Sequence, residues 1–317
     1  MSHLVETMAY RQEEQTWHGL GQALPAGQSI EQWQTAAGMN WSIKSSDVLY
    51  SASESDGLHL RTNPDSKVLF RSDTFAPLSV VSKRYKVVQP KEILEFYRSL
   101  VSVGGYELET AGVLKGGKKL WALAKTDQQA TLKGNDKVKA YLLLATSCDG
   151  TLCTSAFFTS VRIVCNNSLQ MALDGSSGVI KVPHSTSFDP ADVKQQLGLG
   201  MSSWDSFKRS IKSLAARPVS EVEAKAYLVK VLGDSAADFE DQPKPVKTVY
   251  ELFSGAGLGA DMASAKSTAW GLLNSLTEYV DHSRQARTPD NRLDSAWFGT
   301  GAALKTQAFQ EAMKLTA

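Results

Sequence analysis

The sequence has few of the residues that cross-link a protein or anchor it in a membrane. Its 317 residues include only three cysteines, Cys148, Cys153 and Cys165. An odd, sparse count is typical of a reducing compartment. No apolar run reaches the roughly 18 residues of a membrane-spanning helix, and the amino terminus lacks the basic and apolar stretches of a signal peptide. We therefore expect a cytoplasmic protein without membrane contact.

Catalytic and metal-binding signatures are also missing. The five histidines are scattered, and none is spaced from another histidine or a cysteine as zinc ligands are. There is no phosphate-binding loop, no nucleophile elbow and no tight pair of carboxylates. The glycine-rich run 255–259 does not follow a strand, which favours a connector between helices over a nucleotide site. We expect no catalytic residues, no metal and no cofactor, although an enzyme without a recognised motif stays open.

The composition is that of an ordinary globular protein. Hydrophobic residues make up 42% and charged residues 21%, and the net charge is +1. A chain of this length can bury a sizeable core and form about two domains. Because the net charge is close to zero, any nucleic-acid surface must come from local clustering of basic residues.

The first 175 residues are rich in strand signals. A helix is predicted over residues 90–103, with Pro90 at its first position and Gly104-Gly105 ending it. Two hairpins follow, with turns at Gly116-Gly117 and Asp149-Gly150, and a short helix is predicted from Ser168. The predicted strands before Pro90 cover residues 41–50, 58–61, 67–71 and 77–88.

Beyond residue 175 the pattern is mainly helical. Asp189-Pro190 is typical of a helix start, and Ser220 with Glu223 forms a capping box. Further helices are predicted near 262–283 and 302–316. The sequence thus predicts an α+β fold. An antiparallel, hairpin-rich N-terminal sheet with a backing helix (1–175) precedes a mainly helical C-terminal region (176–317).

Basic residues cluster locally despite the low net charge. Between residues 112 and 139, seven lysines stand against two aspartates, which gives +5. Such clusters can form a groove for phosphates, or can keep a sheet edge solvated. A second, smaller basic group surrounds Tyr85, and a third lies between Trp204 and Arg217. The candidate nucleic-acid-binding residues of the three groups are Lys83, Arg84, Lys86, Lys115, Lys118, Lys119 and Arg209.

A second set of candidates lies on the predicted Asp149-Gly150 hairpin. A two-residue turn there pairs Thr146 with Cys153. It also places Tyr141, Phe158 and Arg162 on one face, where aromatic rings could stack bases and the arginine could bind phosphate. The same face could instead pack under a helix with its arginine reaching the solvent.

Long stretches of the chain match a known family. They are HLVETMAYRQEEQTWHGLG (3–21), VVSKRYKVVQPKEILEF (80–96), TSVRIVCNNSLQMAL (159–173), STAWGLLNSLTEYVDHSRQAR (267–287) and LDSAWFGTGAALK (293–305). The chain resembles the uncharacterised phage/plasmid-like protein family, a prophage-associated domain of unknown function. The resemblance implies a mobile-element setting, and it transfers no catalytic residues because the family has none assigned.

Two function hypotheses follow from different classes. The first is a phage or mobile-element protein that binds or anneals single-stranded DNA in recombination or replication, as a homo-oligomer in the bacterial host cytoplasm. The order of helix and hairpins is also that of single-strand annealing recombinases, an analogy of topology without a shared motif. The alternative is a non-catalytic protein–protein interaction module with a host-takeover, anti-defence or self-assembling role.

Overall fold

The computed structural model describes residues 7–11, 21–54, 57–104, 106–164, 167–170, 179–199 and 202–316. The predicted α+β class is confirmed, because antiparallel strands dominate the N-terminal half and most helices follow residue 189. Cys165 and the segment from Trp17 to Gly19 fall outside these ranges.

The strands occupy most of the first 182 residues. They are β1 Thr7–Arg11, β2 Gln22–Leu24, β3 Ile43–Glu54, β4 Gly57–Arg71, β5 Pro77–Ser82, β6 Glu107–Leu114, β7 Lys119–Leu132, β8 Asp136–Ser147, β9 Thr154–Arg162, β10 Asn167–Gln170 and β11 Val179–Val182. The larger sheet has the order β10-β9-β8-β7-β6-β1-β2, with β11 also paired to β9. A smaller sheet has the order β3-β4-β5.

Two helices lie among the strands and the others follow them. They are α1 Ile30–Ala36, α2 Pro90–Gly104, α3 Pro190–Leu199, α4 Ser202–Ala216, α5 Glu221–Leu232, α6 Lys244–Glu251, α7 Ala269–Glu278, α8 Pro289–Phe298 and α9 Thr300–Lys314. Helix α8 is not predicted from the sequence, although Thr288 caps it by accepting a hydrogen bond from the Asn291 amide at 3.2 Å.

Helix α2 is the backing helix that the sequence predicts, and it begins at Pro90. Ile93, Leu94 and Phe96 are fully buried on its inner face. The Tyr97 hydroxyl lies 2.8 Å from the Ala122 carbonyl oxygen and 3.1 Å from that of Leu142. Since these oxygens belong to β7 and β8, one hydroxyl bonds the helix to neighbouring strands.

The contacts within the chain define two compact units, neither of which is continuous in sequence. Unit 1 comprises residues 1–125, 142–156 and 180–197, and unit 2 comprises residues 126–141, 157–179 and 198–317. Their boundaries fall inside strands, so that β7, β8 and β9 each contribute residues to both units.

The second predicted hairpin turn is wrong. Strand β8 ends at Ser147 and β9 begins at Thr154, so six residues connect them. The Ser147 hydroxyl donates to the Leu152 carbonyl at 2.9 Å and accepts from the Leu152 amide at 3.0 Å. These side-chain bonds take the place of the ladder bonds that a two-residue turn would make. The two-residue turn would pair Thr146 of β8 with Cys153. In the structure the Thr146 hydroxyl instead lies 2.9 Å from the Thr154 hydroxyl of β9.

The predicted helix at Ser168 is also wrong. Asn167–Gln170 forms β10, which pairs with β9 in the antiparallel register that sets Ser168 opposite Val161. The Ser168 amide donates to the Asp281 carboxylate at 2.7 Å, so the tertiary structure stabilises an extended backbone there.

Candidate nucleic-acid interface

Three loops of unit 1 meet at the end of the β6–β7 hairpin. The Cys148 amide donates to the Lys118 carbonyl at 2.9 Å, and the Tyr85 hydroxyl donates to the Ser147 carbonyl at 2.8 Å. The loops 83–86, 115–118 and 148–153 therefore form one group, which we call the loop cluster. The Gly116-Gly117 turn is confirmed, and Lys115, Gly116 and Gly117 all have a positive φ of 54°, 67° and 108°.

His184 connects two of these loops. One ring nitrogen, Nδ1, lies 3.0 Å from the Lys86 carbonyl oxygen, and Nε2 lies 3.0 Å from that of Leu152. The imidazole also stacks on Tyr85, with ring centroids 4.3 Å apart and an angle of 18° between the planes. Burial and the nearby Cys148 thiol raise the pKa of Tyr85, so its hydroxyl stays protonated and can donate. Sequence reasoning missed His184, because nothing adjacent in sequence signals these partners.

The predicted basic residues of the loop cluster differ in exposure. Five have exposed or half-buried side chains, namely Lys83, Arg84, Lys86, Lys115 and Lys118. Lys83 forms an ion pair with Asp47. Lys119 is buried at 5% exposure, so its side chain is not presented to a ligand.

One carboxylate accompanies these cations in the cluster. Burial alone would raise the pKa of Asp149, but hydrogen bonds from Thr151 and the charge of Lys119 bring it below its ordinary value. The Thr151 hydroxyl donates to Asp149 at 2.6 Å and the Thr151 amide at 3.0 Å. Asp149 is therefore ionised at neutral pH and its charge is used within the loop.

Three of the predicted binding residues lie inside the protein, which corrects the sequence analysis. Tyr141, Phe158 and Arg162 are 1%, 3% and 2% exposed, so they cannot stack bases or bind phosphate. Phe158 and Arg162 belong to β9, every residue of which is buried, and Tyr141 belongs to the stretch 140–147 of β8, which is buried throughout, so neither stretch has a solvent face. This face is packed in the interior, as the alternative interpretation expected, but Arg162 does not reach the solvent.

Arg162 instead pairs with a buried carboxylate in unit 2. Its Nε lies 2.9 Å from both carboxylate oxygens of Asp136, which is fully buried. Asp136 also accepts from the Ser264 hydroxyl at 2.6 Å and from the Trp270 indole at 3.1 Å. The carboxylate thus has a set of donors that balances its desolvation.

The same guanidinium holds the glycine-rich segment. Its terminal nitrogens lie 3.4 Å from the Leu258 carbonyl oxygen and 3.1 Å from that of Gly259. Gly259 has a φ of +69°, and a Cβ there would come within 2.8 Å of Val164. The run 255–259 therefore serves as the connector between α6 and α7, and its glycine permits the close approach.

Glu278 binds the other side of this connector. Its carboxylate accepts from the Leu258 amide, with oxygens at 3.0 and 3.2 Å. Burial raises the pKa of Glu278, more than the hydrogen bond from Leu258 and the charge of Arg162 lower it.

The remaining predicted residue, Arg209, belongs to unit 2. It lies exposed on α4 and donates to the Ser206 hydroxyl at 2.8 Å. The basic run of the sequence is also divided, because Lys133, Lys137 and Lys139 are in unit 2 whereas Lys115 and its neighbours are in unit 1.

A second buried ion pair of unit 2 includes a serine. Lys305 Nζ lies 2.6 Å from Asp281 and 2.8 Å from the Ser168 hydroxyl. A serine beside a lysine can be a nucleophile with its base. Here the lysine is held by a carboxylate and all three side chains are at most 9% exposed, so this group supports the fold.

Two further properties concern the part of the chain that the structure describes. It contains no group of three or more histidine, cysteine or acidic side chains placed to hold a metal ion. None of its helices combines the length and apolar character needed to cross a bilayer.

The fold and the loop cluster define an α+β protein with a basic surface and buried ion pairs. The family model described as Domain of unknown function (DUF932) matches residues 77–297. This stretch covers more than half of the chain, and the chain belongs to that family. It runs from β5 into α8 and includes both the loop cluster and the Asp136–Arg162 pair. No curated protein and no solved structure matches the chain.

The Asp136–Arg162 pair makes a stability prediction. Arg162→Met should lower the free energy of unfolding by about 3–5 kcal/mol, because it leaves a buried carboxylate without its counter-charge. Urea unfolding followed by circular dichroism measures this. Arg209→Met is the matched control on an exposed helix face, and we expect it to change stability by less than about 0.5 kcal/mol. Equal effects of the two substitutions would contradict the central role of the buried pair.

Glu278 predicts a pH dependence of stability. Its pKa is raised in the folded state, so between the unfolded and folded pKa values the folded protein binds more protons. Its contribution to stability is therefore full below the unfolded pKa and is lost as pH rises through the folded pKa. Thermal unfolding measured from pH 4 upward should show that the stability of Glu278→Gln falls less with rising pH than that of the native protein. A variant profile parallel to that of the native protein would show that burial does not perturb Glu278.

Proposed function

We propose that the protein is a non-enzymatic nucleic-acid-binding protein of a phage, prophage or plasmid, and that the loop cluster of unit 1 binds a single strand. The observation that carries the proposal is that two basic loops contact the same segment. Loop 83–86 meets Ser147 through Tyr85, and loop 115–118 meets Cys148 through Lys118. Arg84, Lys86 and Lys118 are thus gathered by contacts between residues far apart in sequence.

The local charge balance favours an anionic ligand. The carboxylates in these contacts are Asp47, which pairs with Lys83, and Asp149, which is bonded to Thr151. Arg84 and Lys86 are exposed. Cations at such positions bind phosphates and release counterions, so the affinity should fall with salt.

The mobile-element setting supports the same function. The resemblance to phage and plasmid proteins extends over most of the chain, and replication and recombination of such elements expose single strands. A protein acting on them would work in the cytoplasm of the bacterial host. Self-association along a strand would add to the affinity of each subunit.

Fluorescence anisotropy with a labelled single-stranded oligonucleotide tests this function. We expect binding at about 50 mM salt that weakens strongly at about 200 mM, because phosphate contacts exchange with ions. The double variant Arg84→Glu/Lys118→Glu should lose binding at least about tenfold, and its log–log salt slope should be shallower by about 1.4, since each single-strand phosphate contributes about 0.7.

Lys212→Glu is the control, because Lys212 is exposed on α4 of unit 2. Lys119 is not suitable for charge reversal, since a buried carboxylate there would disturb folding. The absence of binding by the native protein at low salt would reject the function. Native affinity in the double variant would reject the loop cluster as its site.

A protein–protein interaction module is the second candidate, and a surface feature of unit 1 favours it. Within the described ranges, six of the nine large hydrophobic side chains that are exposed lie on the three-stranded sheet or its β4–β5 turn. They are Leu49, Tyr50, Leu58, Leu60, Phe75 and Val80. Clustered apolar surface marks interaction sites, and β3 is an edge strand of its sheet.

This surface predicts self-association. Sedimentation velocity of the native protein should show an oligomer, and Leu58→Lys/Leu60→Lys should shift it toward the monomer, because it places charges where a partner would bury leucines. Val222→Lys is the control, since Val222 is 77% exposed on α5 of unit 2. A monomeric native protein at micromolar concentration would argue against the interface.

A further inference from the structure

The turn between β4 and β5 presents an aromatic ring in a strained backbone conformation. Phe75 has a φ of +57° and is 74% exposed. Bulky residues other than glycine rarely adopt this left-handed conformation, and it persists only where the surroundings enforce it. The left-handed backbone and the exposed apolar ring each cost free energy, which points to a function for the ring.

Arg71 and Asp73 enforce the conformation of this turn. The Arg71 amide donates to the Ala76 carbonyl at 3.0 Å, and the Phe75 amide donates to the Arg71 carbonyl at 3.1 Å. The guanidinium meets the Asp73 carboxylate through two bonds of 3.0 and 2.7 Å. This fork lowers the pKa of Asp73 to about 2, so the clamp is charged throughout the physiological range.

The clamp is itself fixed beside the loop cluster. The Arg71 guanidinium lies over the Trp41 ring, 4.2 Å from its centroid, and 3.5 Å from the Gly116 carbonyl oxygen. A cavity of about 450 Å³ lies here, lined by Trp41, Arg71, Asp73 and Gly116 among others. The turn that carries Phe75 is therefore held next to loop 115–118.

Basic residues lie in the segments next to the turn that carries Phe75. Phe75 stacks loosely on Phe70, with centroids 6.4 Å apart and planes at 24°. In the β3–β4 register Lys44 stands opposite Phe70, and Lys44 is exposed. Lys115 and Lys118 belong to loop 115–118, whose Gly116 carbonyl oxygen lies 3.5 Å from the Arg71 guanidinium. An exposed ring with cations in the neighbouring segments complements a base and its flanking phosphates.

We propose that Phe75 is a base-stacking residue and that unit 1 therefore binds single-stranded rather than duplex nucleic acid. A base stacks on the exposed face of the ring, while the phosphates on its two sides meet Lys44 and loop 115–118. Only an unpaired strand offers base faces to a side chain, and stacking tolerates any sequence because every base has a π-face. The inference rests on the proposed function and gives it a residue and a strand preference.

Binding of a labelled oligothymidine of about 16 nucleotides, the upper site size of a single-strand-binding domain, tests this inference beside a duplex of equal length. We expect the native protein to prefer the single strand. Phe75→Ala and Phe75→Leu should each weaken that binding about tenfold, because stacking contributes on the order of 1–3 kcal/mol per base, whereas Phe75→Trp should retain it. The salt slope should stay that of the native protein in all three, since stacking releases no counterions.

Val222→Ala is the control, an exposed apolar residue of unit 2, and should bind normally. Because Phe75 is largely exposed, its variants should fold, and circular dichroism and thermal unfolding check this. Native affinity in Phe75→Ala and Phe75→Leu would overturn the stacking role while leaving the proposed function intact. Failure of the native protein to bind either oligonucleotide would reject both. Loss of oligomer mass in Phe75→Ala, with unchanged affinity for the strand, would assign the ring to a protein interface instead.

Discussion

The ion pair between Asp136 and Arg162 is the constraint on which unit 2 depends. Neither side chain can leave the interior without abandoning a buried charge, since they are 0% and 2% exposed. The donors to Asp136 come from β9, from the segment before α7 and from α7 itself, so one carboxylate sets the positions of three parts of the unit. Such pairs add little net stability compared with apolar packing, but breaking them is costly. This pair connects elements that are distant in sequence, and the Lys305–Asp281 pair does the same for α9 and β10.

Several contacts to backbone carbonyl oxygens tie the elements of unit 1 together, and its basic side chains lie mostly at the surface. Tyr97 bonds α2 to two strands through a single hydroxyl. His184 lies 3.0 Å from a carbonyl oxygen of each of two loops and stacks on Tyr85. Because the backbone supplies these partners, Arg84 and Lys86 are not needed for internal ion pairs and remain exposed. The difference between the units gives the proposed function its physical basis, since a cation balanced inside a protein cannot bind a phosphate.

Local signals in the sequence were reliable where the interactions they describe are themselves local. The helix starting at Pro90 and the Gly116-Gly117 turn form as predicted. The Ser220–Glu223 capping box also forms, with both of its reciprocal hydrogen bonds. The prediction failed at Asp149-Gly150, where Ser147 closes a longer loop by side-chain bonds. It failed again at Ser168, whose amide is bound by a carboxylate 113 residues away.

The sequence by itself determined the α+β class, the helix start at Pro90, the Ser220–Glu223 cap, the Gly116-Gly117 turn and the presence of basic loops. Each of these depends on side-chain periodicity or on residues a few positions apart. Only the tertiary structure decided which cations face the solvent. Arg162 reads in sequence like any arginine on an alternating strand, and its partner Asp136 lies 26 residues before it. Phe75 likewise reads as an ordinary turn residue until the Arg71–Asp73 fork gives its backbone a positive φ. Burial and pairing are properties of the folded surroundings, and neither leaves a periodic trace in the chain.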